Sequence, residues 1–210
     1  MQRNFLVLAF LIAGALGLQA CGMKPTPEAS CNFVQNGDQQ RVSWGAQTPV
    51  IILVDSSVPS TYFESIQKAV AVWNGAAGRE IIKIGGWTNV GPSPTPDGTN
   101  LLYFQKGWDG PSNEQARTTI YWSGDRIYEA DVKVNERDFD FSGSDGGEAG
   151  KLDMESLMIH EFGHVLGLKH MTVSGSVMQP TLSGATATNL SAGLRRKLTD
   201  DDKKSITCEY

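Results

Sequence analysis

One segment of eleven residues near the carboxyl end, HEFGHVLGLKH, runs from His160 to His170 and contains all 3 histidines of the 210-residue chain. If this segment begins as a helix, His160 and His164 lie one turn apart on the same face. Two imidazoles in this arrangement can bind one zinc ion. The spacing therefore predicts a metal site built on a helix, and the rest of the fold has to surround it.

The residues between and after the first two histidines extend this prediction. Gly167 has no Cβ, so the backbone can adopt a left-handed conformation there and leave the helix. His170 can then approach the metal from another direction as a third ligand. Three nitrogen ligands leave one position open, which is typical of a catalytic zinc site. Glu161 can touch a water at that position as a general base. The alternative is three histidines on an ordinary amphipathic helix. The motif fixes five positions within eleven residues, which disfavours this alternative; they are His160, Glu161, His164, Gly167 and His170.

The order of predicted elements is strand, helix, several strands, helix, loop and helix. Hydrophobic periodicity predicts an α+β fold, with a mixed, twisted sheet, one helix packed on it and a second helix below a cleft. Strands are predicted over residues 49–55, 80–84, 101–104, 117–122 and 127–135. Loops are predicted over residues 89–100, 136–150 and 182–197.

Three helices are predicted from their start signals. Ser60 or Thr61 is expected to cap the first, which runs to about residue 75 and buries a face of apolar residues: Ile66, Ala69, Val70 and Trp73. Asp153 is expected to cap the second, which carries the histidines and ends near residue 166. The third lies within residues 198–210 and begins with an acidic first turn. In the last predicted strand, Glu129 and Asp131 alternate with apolar residues, which predicts one wet face and one buried face.

The amino terminus has the features of an export signal. Arg3 precedes an apolar run over residues 5–18, which is too short to span a bilayer comfortably. The run ends before Cys21 in a sequence that resembles a bacterial lipobox. We therefore expect a signal peptide over residues 1–20 with lipidation of Cys21, a tether and N-terminal segment over 21–48, and a catalytic domain over 49–210. The alternative is a cleaved signal without lipid, giving a secreted protein.

Cysteine counting agrees with this expectation. The chain has 3 cysteines, and an odd number in an exported protein leaves one thiol to explain. If Cys21 carries lipid, Cys31 and Cys208 remain as a disulfide pair. The bond would close a loop of about 180 residues, for a stabilisation of up to about 5 kcal/mol in the chain-entropy model. The alternative is two unpaired, buried cysteines, which an oxidising compartment disfavours.

The extended histidine motif resembles that of the metzincin clan of zinc peptidases. Met178, eight residues after His170 and followed by Pro180, resembles the Met-turn of the matrixin family. The resemblance implies a zincin-like fold with a five-stranded sheet, one catalytic zinc, and Met178 packed beneath the ligands. It also implies a zinc endopeptidase that binds extended substrates along the edge strand over residues 117–122.

The chain also departs from the vertebrate matrixins. No long propeptide or cysteine-switch motif is recognisable, so Cys31 is a poor candidate for a latency ligand. With no further histidine, a second zinc site cannot be built from histidines. The residues after Met178 also differ, so the wall of the pocket for the substrate side chain that follows the cleaved bond is altered. The candidate residues of this wall are Gln179, Pro180 and Thr181. The acidic loop over residues 136–150 could bind a structural calcium ion, or its acidic side chains could simply be exposed to solvent. The candidate calcium ligands are Asp138, Asp140, Asp145 and Glu148.

Charge narrows the range of partners. The formal net charge is -5, without the basic surface that nucleic-acid binders need. We expect protein or peptide substrates, a membrane contact through the lipid anchor, a monomer, and a place in the bacterial cell envelope. The run over residues 195–197 could contact acidic substrates or anionic lipid, or form a solvated loop. Two other functions stay open: a peptidase for cell-wall peptides, and an envelope binding protein that retains zinc without turnover.

Overall fold

The computed structural model describes residues 31–210, apart from 144, 146, 185, 187 and 190–192. The expected signal peptide, the lipidation site at Cys21 and the rest of the expected tether up to residue 30 lie outside the described residues. Within the described part of the chain, no helix is both long enough and apolar enough to cross a membrane.

The described chain folds around a five-stranded sheet with the strand order β2-β1-β3-β5-β4. All neighbouring strands run parallel except β4, which pairs with β5 in the antiparallel direction and forms one edge. This confirms the predicted mixed sheet and the α+β class. The strands are β1 Val50–Asp55, β2 Ile82–Thr88, β3 Leu101–Gln105, β4 Ala116–Ser123 and β5 Arg126–Asn135.

The first helix, α1, covers Phe63–Ala77 and follows a single 3₁₀ turn over Ser60–Tyr62. The predicted cap at Ser60 or Thr61 is wrong, because Tyr62 occupies the N-cap position and no side chain bonds there. The predicted apolar face is confirmed, since Ile66, Ala69 and Trp73 are buried. The indole of Trp73 donates a hydrogen bond of 2.8 Å to the carbonyl oxygen of Ile159, which joins α1 to the helix that carries the histidines.

The prediction of one wet face on β5 is wrong. Glu129 is only 1% exposed, whereas Tyr128, on the expected buried face, is 48% exposed. The reason is the predicted loop over residues 89–100, which folds across this part of the sheet. The backbone N–H of Gly98 donates to the Glu129 carboxylate, and that of Leu101 donates to Asp131 at 3.0 Å. Backbone donors of this loop and of the start of β3 therefore take the place of water on the acidic face.

The histidine helix, α2, covers Met154–Val165, and Asp153 caps it as predicted by accepting a bond from the N–H of Ser156. Two short strands precede it, β6 Phe141–Ser142 and β7 Leu152–Asp153, which pair in parallel. β6 lies within the loop predicted over residues 136–150, and β7 lies outside every predicted strand, because two-residue strands have no periodicity to detect.

The two ends of the described chain meet behind α2. Helix α3 covers Asp200–Ile206 and begins at Thr199 with a capping box that involves Asp202. Two residues after α3, Cys208 forms a disulfide with Cys31, with a Cα–Cα distance of 6.2 Å, which confirms the predicted pairing. The bond joins the two terminal segments of the described chain.

Candidate metal centre

Helix α2 projects His160 and His164 from one face, with a separation of 3.0 Å between their Nε2 atoms. Gly163, between them in sequence, packs against Met178 and the indole of Trp73. A Cβ at this position would lie 2.9 Å from Cζ2 of Trp73. The missing side chain allows α2 to pack closely against the core at this position.

Gly167 ends this helix with a φ of 97°, as predicted from its lack of a Cβ. A Cβ here would meet the carbonyl oxygen of Val42 at 2.6 Å, so the site requires glycine for both conformation and space. The turn brings Nε2 of His170 to 3.2 Å from Nε2 of His160. Two residues of the helix and one residue of the following loop thus meet at one point.

The loop that carries His170 is fixed by the N-terminal segment. The N–H of Val34 donates to the carbonyl oxygen of Gly167 at 2.8 Å, and the N–H of Lys169 donates to that of Asn32 at 2.9 Å. Cys31, which precedes Asn32, is tied to the end of the chain by the disulfide. The third candidate ligand is therefore held from outside α2.

The hydrogen bonds behind the imidazoles set their tautomers. Nδ1 of His160 lies 2.7 Å from the carbonyl oxygen of Val177, and Nδ1 of His164 lies 2.7 Å from that of Leu168. A carbonyl can only accept, so both Nδ1 atoms carry the proton. Both Nε2 atoms therefore point lone pairs at the shared centre, which is the form that binds metal. Burial lowers the pKa of both imidazoles to about 4, so they are neutral near pH 7.

The distances fit a zinc ion. A tetrahedral zinc with Zn–N bonds of about 2.05 Å places neighbouring nitrogens roughly 3.3 Å apart. The separations from Nε2 of His160 to the Nε2 atoms of His164 and His170, 3.0 and 3.2 Å, are close to this value. Among the described residues, His160, His164 and His170 are the one group of three or more potential ligands that converges in this way. His170 is partly exposed, which leaves the centre accessible from the cleft.

Glu161 lies next to this centre and is almost completely buried, with 4% of its surface exposed. Burial raises the pKa of its carboxyl group. Oε2 accepts a hydrogen bond of 2.6 Å from Oγ1 of Thr118, a residue of the edge strand β4. The sequence analysis missed Thr118, since nothing in the pattern of a strand indicates that its hydroxyl reaches a helix 43 residues away.

Met178 is fully buried and lies against Gly163, under the part of α2 that carries the histidines. Its turn is held by Asp202 of α3, whose carboxylate accepts bonds from the hydroxyl of Ser176 at 2.6 Å and the N–H of Val177 at 3.2 Å. The hydroxyl of Ser176 in turn accepts a bond from the N–H of Met178. Asp202 was missed as a site residue; its only signal is its place in the acidic capping turn.

The histidines open into a cleft of about 320 Å³. The predicted wall residues Gln179, Pro180 and Thr181 line it, opposite the amino-terminal half of β4. The lining also contains residues that the sequence analysis did not select: Val34, Gln115, Thr118, Leu157 and Leu182. Their side chains come from the terminal segment, the edge strand, α2 and the wall.

In the run over residues 195–197, the two arginines have partners within the chain, whereas Lys197 is exposed, as the predicted solvated loop requires. Arg195 donates to the carbonyl oxygen of Thr181 at 2.6 Å, which supports the wall. Arg196 forms ion pairs with Asp153 at 2.5 Å and with Glu155 at 3.2 Å, at the start of α2. Both arginines therefore have structural partners: backbone carbonyl oxygens of the wall for Arg195, and buried carboxylates of α2 and its cap for Arg196.

The candidate calcium ligands do not gather into a site in the described structure. Asp145 pairs with Lys68 and Arg196, and Glu148 pairs with Lys151. Asp138 accepts bonds from Arg137 and from Asn135. Basic or amide side chains near these carboxylates offset their charge, and calcium stays an untested expectation.

Comparison with known proteins agrees with the geometry. The matrixin family model matches residues 97–210, which is more than half of the chain. A region of 60 residues is 40% identical to Metalloendoproteinase 2-MMP of Arabidopsis thaliana. That match covers 28% of this chain and 14% of the plant protein.

Proposed function

Because this chain belongs to the matrixin family, we propose that it is a zinc endopeptidase that hydrolyses peptide bonds of proteins or peptides outside the cytoplasm. One observation carries the proposal: three imidazole Nε2 atoms converge in an open cleft beside the buried carboxylate of Glu161. A structural zinc site needs neither an open side nor an adjacent base.

His160, His164 and His170 would hold the zinc ion. When bound, zinc supplies a Lewis acid that polarises the scissile carbonyl and lowers the pKa of water to about 7. The backbone carbonyl oxygens of Val177 and Leu168 fix the orientation of the two helical imidazoles. Such partners commonly change metal affinity or activity when they are lost.

Glu161 moves the proton in this scheme. Its carboxylate accepts a proton from the water that attacks the scissile carbonyl carbon, and then delivers that proton to the departing amine nitrogen. The C–N bond breaks, and the products are a carboxylate and an amine. Thr118 holds Oε2 of Glu161 through its hydroxyl, so Oε1 is left to face the reacting water. Thr118 is therefore a positioning residue.

The sheet edge supplies the substrate site. β4 is the edge strand and its residues 116–118 and 120 line the cleft. An extended peptide can add to such an edge as a further strand, with the backbone providing affinity and the side-chain pockets providing selectivity. The segment Gln179–Thr181 bounds the other side, so the bound peptide would lie between the two.

Two features support the extracytoplasmic setting. The apolar run over residues 5–18 before Cys21 is typical of an exported lipoprotein. The disulfide between Cys31 and Cys208 favours an oxidising compartment. Metabolic labelling with a radioactive fatty acid tests the anchor: we expect label on the wild-type chain and none on Cys21→Ala. An unlabelled wild-type protein released into the medium would contradict the anchor and favour plain secretion.

The peptidase itself can be tested by metal removal. The purified chain is incubated with an unfolded protein, then with a chelator, and then with one equivalent of zinc. We expect cleavage, loss of cleavage and recovery, in that order. Isolated cell-wall peptides serve as the second substrate, and cleavage of these alone would favour the wall peptidase. A zinc-loaded chain that cleaves neither substrate would favour the binding protein.

A further inference from the structure

The side chain of Gln115 spans from the edge strand to the wall of the cleft. Its Nε2 donates to the carbonyl oxygen of Leu182 at 2.8 Å, and its Oε1 accepts from the N–H of Leu182 at 3.2 Å. One amide thus satisfies both backbone groups of one residue. Two residues of adjacent antiparallel strands exchange N–H···O bonds in the same reciprocal way. The Gln115 amide therefore takes the position that the backbone of a bound strand would take.

This amide clamp, formed by Gln115 and Leu182, lies in the cleft that contains the metal centre. Gln115 immediately precedes β4, and Leu182 immediately follows the wall segment. Both residues line the cleft together with His160 and Glu161. The wall is held separately by Arg195, which bonds the carbonyl oxygen of Thr181 at 2.6 Å. The clamp is therefore a second and distinct link, and it joins the two sides between which a peptide has to pass.

The position of the clamp relative to the reacting bond follows from the strand. Thr118 marks the reacting position, since its hydroxyl contacts the Glu161 carboxylate. Gln115 precedes it by three residues, which is about 10 Å along a strand at roughly 3.4 Å per residue. A peptide antiparallel to β4, the pairing that is more stable per residue, would run from Thr118 toward Gln115. Its residues on the C-terminal side of the scissile bond would then reach the clamp.

Resting on the proposed peptidase function, we propose that the Gln115 clamp limits how far a substrate extends past the cleaved bond. Two or three residues on the C-terminal side occupy the space up to the clamp, roughly as the 3.4 Å rise per residue allows. A longer substrate has to break both bonds to Leu182. Gln115 is thus a specificity-determining residue, and the preferred substrates end soon after the bond that is cleaved.

A peptide series tests this proposal. The N-terminal part is constant, and one to eight residues follow the scissile bond. For the wild type we expect kcat/KM to rise up to two or three such residues and then to fall by about tenfold, the scale of two neutral hydrogen bonds. For Gln115→Ala we expect the fall to disappear, so that the ratio of long-peptide to short-peptide kcat/KM rises by about tenfold relative to the wild type. Equal length dependence in both proteins would overturn the proposal.

Two controls separate the clamp from a general loosening of the wall. Arg195→Met removes the other support of the wall and leaves the clamp, so its ratio of long-peptide to short-peptide kcat/KM should equal that of the wild type. If Arg195→Met also removes the length dependence, the wall and not the clamp is responsible. Gln115→Glu retains the acceptor but loses the donor, and we expect an intermediate ratio.

A binding measurement separates this proposal from the peptidase function. Calorimetry with the Glu161→Gln protein gives the affinity of each peptide without turnover. Affinity that falls beyond two or three residues, and that Gln115→Ala restores, supports the clamp even if the wild type hydrolyses none of the peptides. Affinity that rises steadily with length in both proteins overturns the clamp, whatever the outcome of the activity assay.

Discussion

Thr118 donates a hydrogen bond of 2.6 Å to the carboxylate of Glu161, and the same hydroxyl lies 3.3 Å from the carbonyl oxygen of Glu161. This contact links the sheet edge, where a substrate would bind, to the group that would carry the proton. A carboxylate held at one oxygen has fewer orientations available, so the other oxygen remains aligned with the reacting position. In the proposed function, the same element, β4, would position both the substrate strand and the base.

Replacing Thr118 tests this arrangement. Thr118→Val keeps the shape but removes the hydroxyl, and we expect kcat to fall by about ten- to a hundredfold, the scale of a hydrogen bond to a charged group. KM and the zinc content should change little, because neither substrate backbone nor metal contacts the hydroxyl. Thr118→Ser restores the donor and should recover most of kcat. Steady-state kinetics and metal analysis of the three proteins check this; equal kcat values would remove the positioning role.

Close packing behind the metal centre gives a prediction about stability. Gly163→Ala would place a methyl group against Met178 and Trp73 in the core, so we expect overpacking to lower the free energy of unfolding by about 1–3 kcal/mol. Gly75 is the matched control, since it lies in α1 with no atom within 4 Å of an added Cβ. Gly75→Ala should stabilise by up to about 1 kcal/mol through helix propensity. Urea denaturation measures both changes; a stabilised Gly163→Ala protein would contradict the packing account.

The disulfide gives a second stability prediction. Cys31 and Cys208 are 177 positions apart, and closing a loop of this length is worth up to about 5 kcal/mol in the chain-entropy model. We therefore expect the double variant Cys31→Ala with Cys208→Ala to unfold at a much lower denaturant concentration. Reduction of the wild type under denaturing conditions, followed by alkylation and refolding, is the control for the substituted side chains. An unchanged unfolding midpoint would mean that the bond contributes nothing.

Asp131 makes the stability depend on pH. Burial raises the pKa of its carboxyl group from 3.8 to about 6. At a pH between these two values, the Asp131 carboxyl group keeps its proton in the folded chain and loses it in the unfolded chain. The free energy of unfolding therefore falls as pH rises from about 4 to about 6. The loss is at most about 3 kcal/mol, reduced by solvent screening.

Asp131→Asn can still accept the bond from the N–H of Leu101 but cannot ionise. Relative to the wild type, the variant should gain stability as pH rises through this window and keep the gain above it. Denaturation curves at pH 4 and pH 8 give the two differences, with Asp38→Asn as an exposed control. If the free energy of unfolding differs between Asp131→Asn and the wild type by the same amount at both pH values, the effect of burial on Asp131 is contradicted.

The sequence predicted best where the determinants are local. His160 and His164 are one helical turn apart, and Gly167 turns the chain within the same eleven residues. The metal site can therefore be predicted without knowing how the sheet is arranged. Asp153 and Thr199 cap their helices through residues only three positions away. The disulfide is longer in range, but counting three cysteines was enough to predict it.

The sequence predicted poorly where distant segments cover one another. Glu129 was placed on a wet face because strand periodicity says nothing about a loop that folds over the sheet. Thr118 and Glu161 are 43 positions apart, and Gln115 and Leu182 are 67 apart, so neither contact leaves a pattern in the chain. Arg196 was expected in solvent or on a substrate, but its partners are carboxylates at the start of α2.

The most direct test of the account compares the wild type with Glu161→Gln on an unfolded protein substrate, after zinc content has been measured in both. We predict about one zinc per chain in each protein and cleavage by the wild type. Turnover by the variant should fall by at least about a hundredfold, since a general base typically contributes a factor of about 10² to 10⁴ to the rate. Retained turnover by the Glu161→Gln protein would contradict the role of Glu161. A folded wild-type protein that binds no zinc would contradict the central claim.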